Sequence, residues 1–173
     1  ILAVYALQVI SAPFGFVIAS AIAADLGLFT GPAVSAVAYA WLTFEFVHGS
    51  VTHVLLNLFG LILISPTFEE RIGSLRWAIL FFVGGAFGAL VFVLVHASQT
   101  VLLVGASAGI FAAFGAYGRL YPRDRVTLFL PLPGMPALPV IQVVVLFLAL
   151  EMVLGVVLPG GIAWEAHTGA LAF

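Results

Sequence analysis

The chain has 173 residues, of which 64% are hydrophobic and 7% charged, with a formal net charge of −2 and no cysteine. A soluble domain carries roughly 25% charged residues, so at a mean hydropathy of +1.30 this chain cannot cover its surface for water and is read as an integral membrane protein. The lack of cysteine excludes disulfides and thiolate metal sites, and the near-neutral balance without lysine leaves nucleic-acid binding no electrostatic basis.

Taken in order, the apolar runs are continuous rather than alternating, which predicts helices and not barrel strands. The chain starts at Ile1 with no recognisable signal peptide and reads as trimmed at both ends. Residues 1–24 are long enough to span, since a helix needs roughly 20 residues. Residues 25–50 are mixed: Gly27, Gly31 and Pro32 break the chain, and the aromatic stretch around Tyr39, Trp41, Phe44 and Phe46 is interrupted by Glu45. This predicts an excursion at headgroup level rather than a clean span. Further spans are expected at about 50–68, 75–95, 107–121 and 138–158, with Pro131, Pro133, Pro136 and Pro139 holding open the loop before the fifth. A sixth, 162–173, amounts to only about 18 Å of helix, so it is expected to be cut off here. The whole is expected to be one domain, 1–173.

The five arginines (Arg71, Arg76, Arg119, Arg123, Arg125) fall in two connections, after spans two and four, and the positive-inside rule makes both cytoplasmic. Spans two, four and six then all begin at the opposite face. Near those beginnings lie His53 and Asn57, Ser107, and His167. Four polar side chains from distant stretches are thus expected at similar depth.

A serine becomes a nucleophile when a histidine takes its proton, and His167 is the histidine placed for it. Glu165, two residues away, points to another helix face, which favours a two-member dyad. His53 and Asn57, spaced i, i+4, share one face. With the Ser107 backbone N–H they can donate to a developing oxyanion. The reaction class implied is acyl transfer to water, hence amide hydrolysis in or beside the bilayer.

Blander readings stand beside this one. A serine among glycines and alanines in a membrane helix is more often packing, and a single intramembrane His or Asn is more often a helix–helix hydrogen bond. His96 reads as an interfacial residue, and His48 as a brace for the 25–50 segment. Glu151, in the middle of span five, divides evenly between a structural hydrogen bond and a role in substrate access. Glu69, Glu70 and Arg71 read as a cytoplasmic cap with a local ion pair.

In order along the chain come His48-Gly49-Ser50-Val51-Thr52-His53 followed by Asn57, then Glu69-Glu70-Arg71-Ile72-Gly73-Ser74, Gly105-Ala106-Ser107-Ala108-Gly109, and Ala166-His167-Thr168-Gly169. Together these resemble the rhomboid intramembrane serine proteases over nearly the whole chain. The resemblance implies a six-helix all-α membrane bundle with a membrane-embedded loop between helices 1 and 2. It implies Ser107 as nucleophile, His167 as general base, and His53, Asn57 and Ser107 at the oxyanion. Gly105, Gly109, His48, Glu69, Arg71 and Gly73 would be supporting residues. It further implies single-pass transmembrane substrates entering laterally near spans two and five, residues 159–165 as a cap over the site, and no metal or cofactor. The expected location is the plasma membrane, multi-pass, with the site near the extracytoplasmic face. Two departures stand out: Tyr39-Ala40 occupies the place of a frequent Trp-Arg, and Ala170 that of a frequent glycine. The alternatives are a non-catalytic relative that binds client helices and, less fitting, a small transporter, which would need ionisable residues along a path through the bilayer.

Overall fold

The computed structural model describes residues 1–11, 22–33, 37–126, 137–157 and 163–173. The elements in chain order are α1 (Leu2–Ser11), β1 (Leu28–Phe29), a 3-10 turn (Gly31–Ala33), and α2 (Ala40–Thr43) running into a second 3-10 turn (Phe44–Phe46). Then come α3 (Val51–Ile72), α4 (Ser74–Val95), β2 (Leu102–Leu103), α5 (Ser107–Leu120), β3 (Arg125–Val126), β4 (Leu138–Pro139), α6 (Val140–Val157) and α7 (Trp164–Ala172). The protein is mostly helical.

Among the described residues two helices, α3 and α4, are long and apolar enough to cross a bilayer, each with 22 residues, or about 33 Å. That is fewer than the six spans expected. Helix α5 has 14 residues, about 21 Å, and α7 has nine. The expected proline loop at 131–136, most of the cap at 159–165, the middle of the first span and the side chain of Glu151 lie outside the described residues. Pro139, expected in that loop, instead pairs with Arg125 in the β3–β4 ladder.

Helix α3 starts where Ser50 accepts a hydrogen bond from the His53 N–H at 3.1 Å, an N-cap that satisfies one of the free first-turn donors. It runs past the expected end at 68, through Pro66, to Ile72. Gly73 closes it at a φ of +85°, a region open to glycine, with its N–H on the Glu69 carbonyl at 2.7 Å. Glu69, Glu70 and Arg71 therefore belong to the last turn of α3, and among the described residues no ion pair joins them. Arg71 instead meets Asp124 at 3.0 Å, while Glu69 accepts from the Ser74 hydroxyl. Neighbours one or two apart on a helix do not face each other, which leaves Arg71 free to reach across to the end of α5. Tyr117 donates to the same Asp124 carboxylate at 3.3 Å.

Helix α4 is the spine of the bundle. It packs most extensively on α5 and α7, which also pack on each other. Small residues make this possible: a Cβ on Gly84 would overlap Ala112, one on Gly88 would overlap Ala166 and Ala170, and one on Gly115 would overlap Leu171. Their absence lets the backbones approach, as small residues do between membrane helices. His53 lies against Gly105 and Gly60 against Ile110, so α3 and α5 run parallel. Phe111 stacks on His167 and Gly115 meets Leu171, so α5 and α7 run parallel too. All three helices therefore begin toward the same side of the bundle.

The segment before α3 is tied to the loop before α5 by a short ladder that pairs Leu28 with Leu103 and Phe29 with Leu102. Buried Thr30 extends it, donating its hydroxyl to the Gln99 carbonyl at 2.6 Å and accepting the Val101 N–H at 3.0 Å. Strands of two residues carry no periodic signal, and the sequence did not predict them.

Candidate active site

Ser107 is the first residue of α5, and its Oγ lies 2.6 Å from Nε2 of His167 on α7. His167 is buried, with 6% of its surface exposed. Its imidazole stacks almost flat on Phe111, with centroids 4.7 Å apart and planes at 11°. One turn after Ser107 on the same helix face, Phe111 holds the ring that meets Ser107. Sequence reading missed Phe111; the i, i+4 spacing from the serine was the available signal.

The depth of the pair is set by α4. Gly109 packs on Phe81 and lies beside Gly85, which puts the start of α5 level with the middle of α4. That is roughly 15 Å, ten helical residues, from Val95. A short α5 thus places the serine well inside the bundle rather than at its rim.

His53 approaches from α3. A Cβ built on Gly105 would stand 2.5 Å from His53 Nε2 and 3.7 Å from Ser107 Oγ, so the imidazole and the hydroxyl share one small space. Gly105 is doubly required there: its φ is +116°, and a side chain would drive into the imidazole. The Gly49 N–H points at His53 Nδ1 at 3.4 Å. An acceptor role for Nδ1 leaves the proton of neutral His53 on Nε2, the nitrogen turned to the serine. Asn57 is one turn further along, 3% exposed, and donates its amide to the His53 carbonyl at 2.8 Å. Since His53 meets Gly105 and Gly60 meets Ile110, Asn57 between them faces the first turn of α5. One amide hydrogen remains for another acceptor.

The segment preceding α3 buttresses this arrangement. The Phe44 carbonyl accepts the Gly105 N–H at 2.9 Å, fixing the loop before the serine. Glu45 is 1% exposed, and its carboxylate packs against Gly85, close to the Gly109 amide. With neither oxygen hydrogen-bonded, burial pushes the Glu45 carboxyl up to about 9, so it is neutral at pH 7. His48 is also buried. Its backbone exchanges two 3.3 Å hydrogen bonds with the Gln8 side chain, and its ring packs edge-on to His53 at 5.1 Å. Burial first, and the neighbouring His53 second, lower it to about 4, which keeps it uncharged beside His53.

His96, read from sequence as an interfacial residue at the outer end of its span, closes α4 and is also paired: its Nε2 lies 3.3 Å from Glu165 Oε1. Glu165 is thereby turned to α4 and away from the serine. Of the sequence-predicted residues, Ser107, His167, His53, Asn57, Gly105 and Gly109 gather around the start of α5, with His48 behind His53. Glu69, Arg71 and Gly73 lie at the far end of α3. No group of acidic, His or Cys side chains able to hold a metal occurs among the described residues.

A comparison with curated proteins finds no match. A family model, by contrast, matches the rhomboid domain over residues 35–173, from the loop before α3 through α7. The chain belongs to the rhomboid family.

Proposed function

We propose that the protein is an intramembrane serine endopeptidase that uses a Ser107–His167 dyad on transmembrane protein substrates. The observation that carries this reading is the 2.6 Å contact between Ser107 Oγ and His167 Nε2, within the range for a nucleophile and its base. The Ser107 hydroxyl gives its proton to Nε2 as Oγ bonds the scissile carbonyl carbon. Negative charge collects on the carbonyl oxygen, where His53 Nε2–H, the second amide hydrogen of Asn57 and the Ser107 backbone N–H are the donors. Collapse breaks the C–N bond, and His167 returns the proton to the leaving amine. A water, giving a proton to the same nitrogen, then bonds the acyl carbon; the bond from that carbon to Ser107 Oγ breaks, and Oγ takes the proton back from His167 as the acid is released.

In this reading the domain comprises residues 1–173 and crosses the plasma membrane six times. The substrates are single-pass proteins, and the dyad lies toward the extracytoplasmic side. Family membership and the parallel starts of α3, α5 and α7 support it.

The test is labelling by a fluorophosphonate in detergent, read by intact mass, comparing wild type with Ser107→Ala and His167→Ala. An adduct on wild type alone is expected. A folded wild type that takes no label would favour a client-binding relative without catalysis, and label surviving Ser107→Ala would assign the nucleophile to another serine.

A further inference from the structure

The dyad joins two helices that are each referenced to a third. Ser107 is fixed by α5 against α4, and His167 by α7 against α4. The Ser–His separation therefore depends on the axial register of α7 along α4. A slide of one residue is about 1.5 Å, enough to turn a 2.6 Å contact into no hydrogen bond.

Small residues line the α4–α7 interface: Gly88 receives Ala166 and Ala170, and Val91 sits in the space left by Gly169. They allow close approach. Seated in these notches, the apolar side chains hold α7 against α4, and a directional bond adds a contact of defined length and angle. A directional contact stands at the end of this interface, where His96 Nε2 meets Glu165 Oε1 at 3.3 Å. The two side chains are only 22% and 12% exposed. His96 closes the C-terminus of α4, its ring against Phe92 at 4.4 Å, and Glu165 lies in the first turn of α7. Each group also suits the helix end it occupies, a donor at the carbonyl end and a carboxylate at the amide end. Glu165 is two residues from His167, so displacement at one moves the other.

We infer that His96 and Glu165 are positioning residues for the dyad, a pin between α4 and α7 that sets the register at which His167 reaches Ser107. The inference rests on the proposed dyad for its catalytic meaning, although the pin itself is a statement about geometry. Neither residue touches the reacting atoms. The bond requires an acceptor at 165 and an N–H at 96, so Glu165→Gln, with the same reach and an amide oxygen, preserves it, while Glu165→Ala and His96→Ala abolish it.

The test has two arms. In the first, kcat and KM for a transmembrane substrate and the second-order rate of fluorophosphonate labelling are measured per folded molecule. Glu165→Ala and His96→Ala are expected to lose tenfold or more in kcat and in labelling rate with KM unchanged. Glu165→Gln is expected within about threefold of wild type, and the double alanine variant no worse than either single one. A merely structural pair would lower the melting temperature and leave the rate per folded molecule where it was; that result overturns the inference, as does a Glu165→Gln variant as impaired as Glu165→Ala. In the second arm, crystal structures of wild type and Glu165→Ala report the Ser107 Oγ–His167 Nε2 separation whether or not the protein cleaves anything. A separation grown beyond hydrogen-bond reach supports the pin, and an unchanged one refutes it. Wild type that takes no label defeats the proposed function, and this second arm then decides the pin alone.

Discussion

Glu45 should make the stability of this protein fall as pH rises above neutrality, and Glu45→Gln should abolish that fall. The carboxyl is 1% exposed with no hydrogen bond to either oxygen, and burial raises it from the ordinary 4.5 to about 9. A group raised on folding contributes stability that is fully present below its unfolded pKa and is lost as pH climbs to the folded one. Between those limits the folded chain holds a proton that the unfolded chain has released. The loss is about 1.4 kcal/mol per pH unit, hence roughly 3 kcal/mol by pH 7 and roughly 6 by pH 9. His48 acts in the opposite sense. Lowered from 6.5 to about 4, it adds stability as pH rises through that interval and nothing above it. The two slopes offset one another between about pH 4.5 and 6.5, so the window that isolates Glu45 is about pH 6.5 to 8.5. Across it, unfolding free energy by denaturant titration in detergent should drop by roughly 3 kcal/mol for wild type and stay level for Glu45→Gln. The slope is the decisive quantity, because the buried Gln amide carries its own desolvation cost of about 1–3 kcal/mol. Parallel curves for the two proteins over that window would refute the reasoning.

Three further predictions concern the site and its supports. Gly105→Ala meets both a φ of +116° and the His53 imidazole, and should cut kcat/KM by about 100-fold or more, checked by substrate cleavage on protein that still melts cooperatively. His53→Ala and Asn57→Ala should each lower kcat by about 100-fold with little change in KM, the signature of donors engaged mainly in the transition state; an effect on KM alone would assign them to substrate binding instead. Asp124→Ala leaves the Tyr117 hydroxyl without its acceptor and Arg71, itself half exposed, without its partner. It should cost about 1–2 kcal/mol, mostly from the hydroxyl, since exposed ion pairs contribute about 0–1 kcal/mol. Arg71→Gln, measured by the same denaturant titration, should cost less.

What could be read from the sequence is what helices determine locally. Arginines confined to two connections give the helices alternating directions, and alternation alone brings the starts of the helices bearing His53, Ser107 and His167 toward the same side of the bundle. The i, i+4 spacing of His53 and Asn57 puts them on one face without any knowledge of the fold. Everything set by contacts across the chain was out of reach. Thr30 finds Gln99 and Val101, Arg71 finds Asp124, and Glu165 finds His96, each partner dozens of residues away. Glu45 is the sharpest case. As a charge in an aromatic stretch it argued for an interface and water, yet the fold closes Gly85 and Gly109 over it, and a carboxylic acid that keeps its proton is tolerable where a carboxylate is not. Its protonation is thus a consequence of the glycines of α4 and α5, which lie 40 and 64 residues further on and carry no mark of what they will enclose. The same holds for the catalytic distance. Which helix carries the serine and which the histidine is written in the sequence, but the 2.6 Å between them comes from how closely Gly84, Gly85 and Gly88 let α5 and α7 approach a single spine.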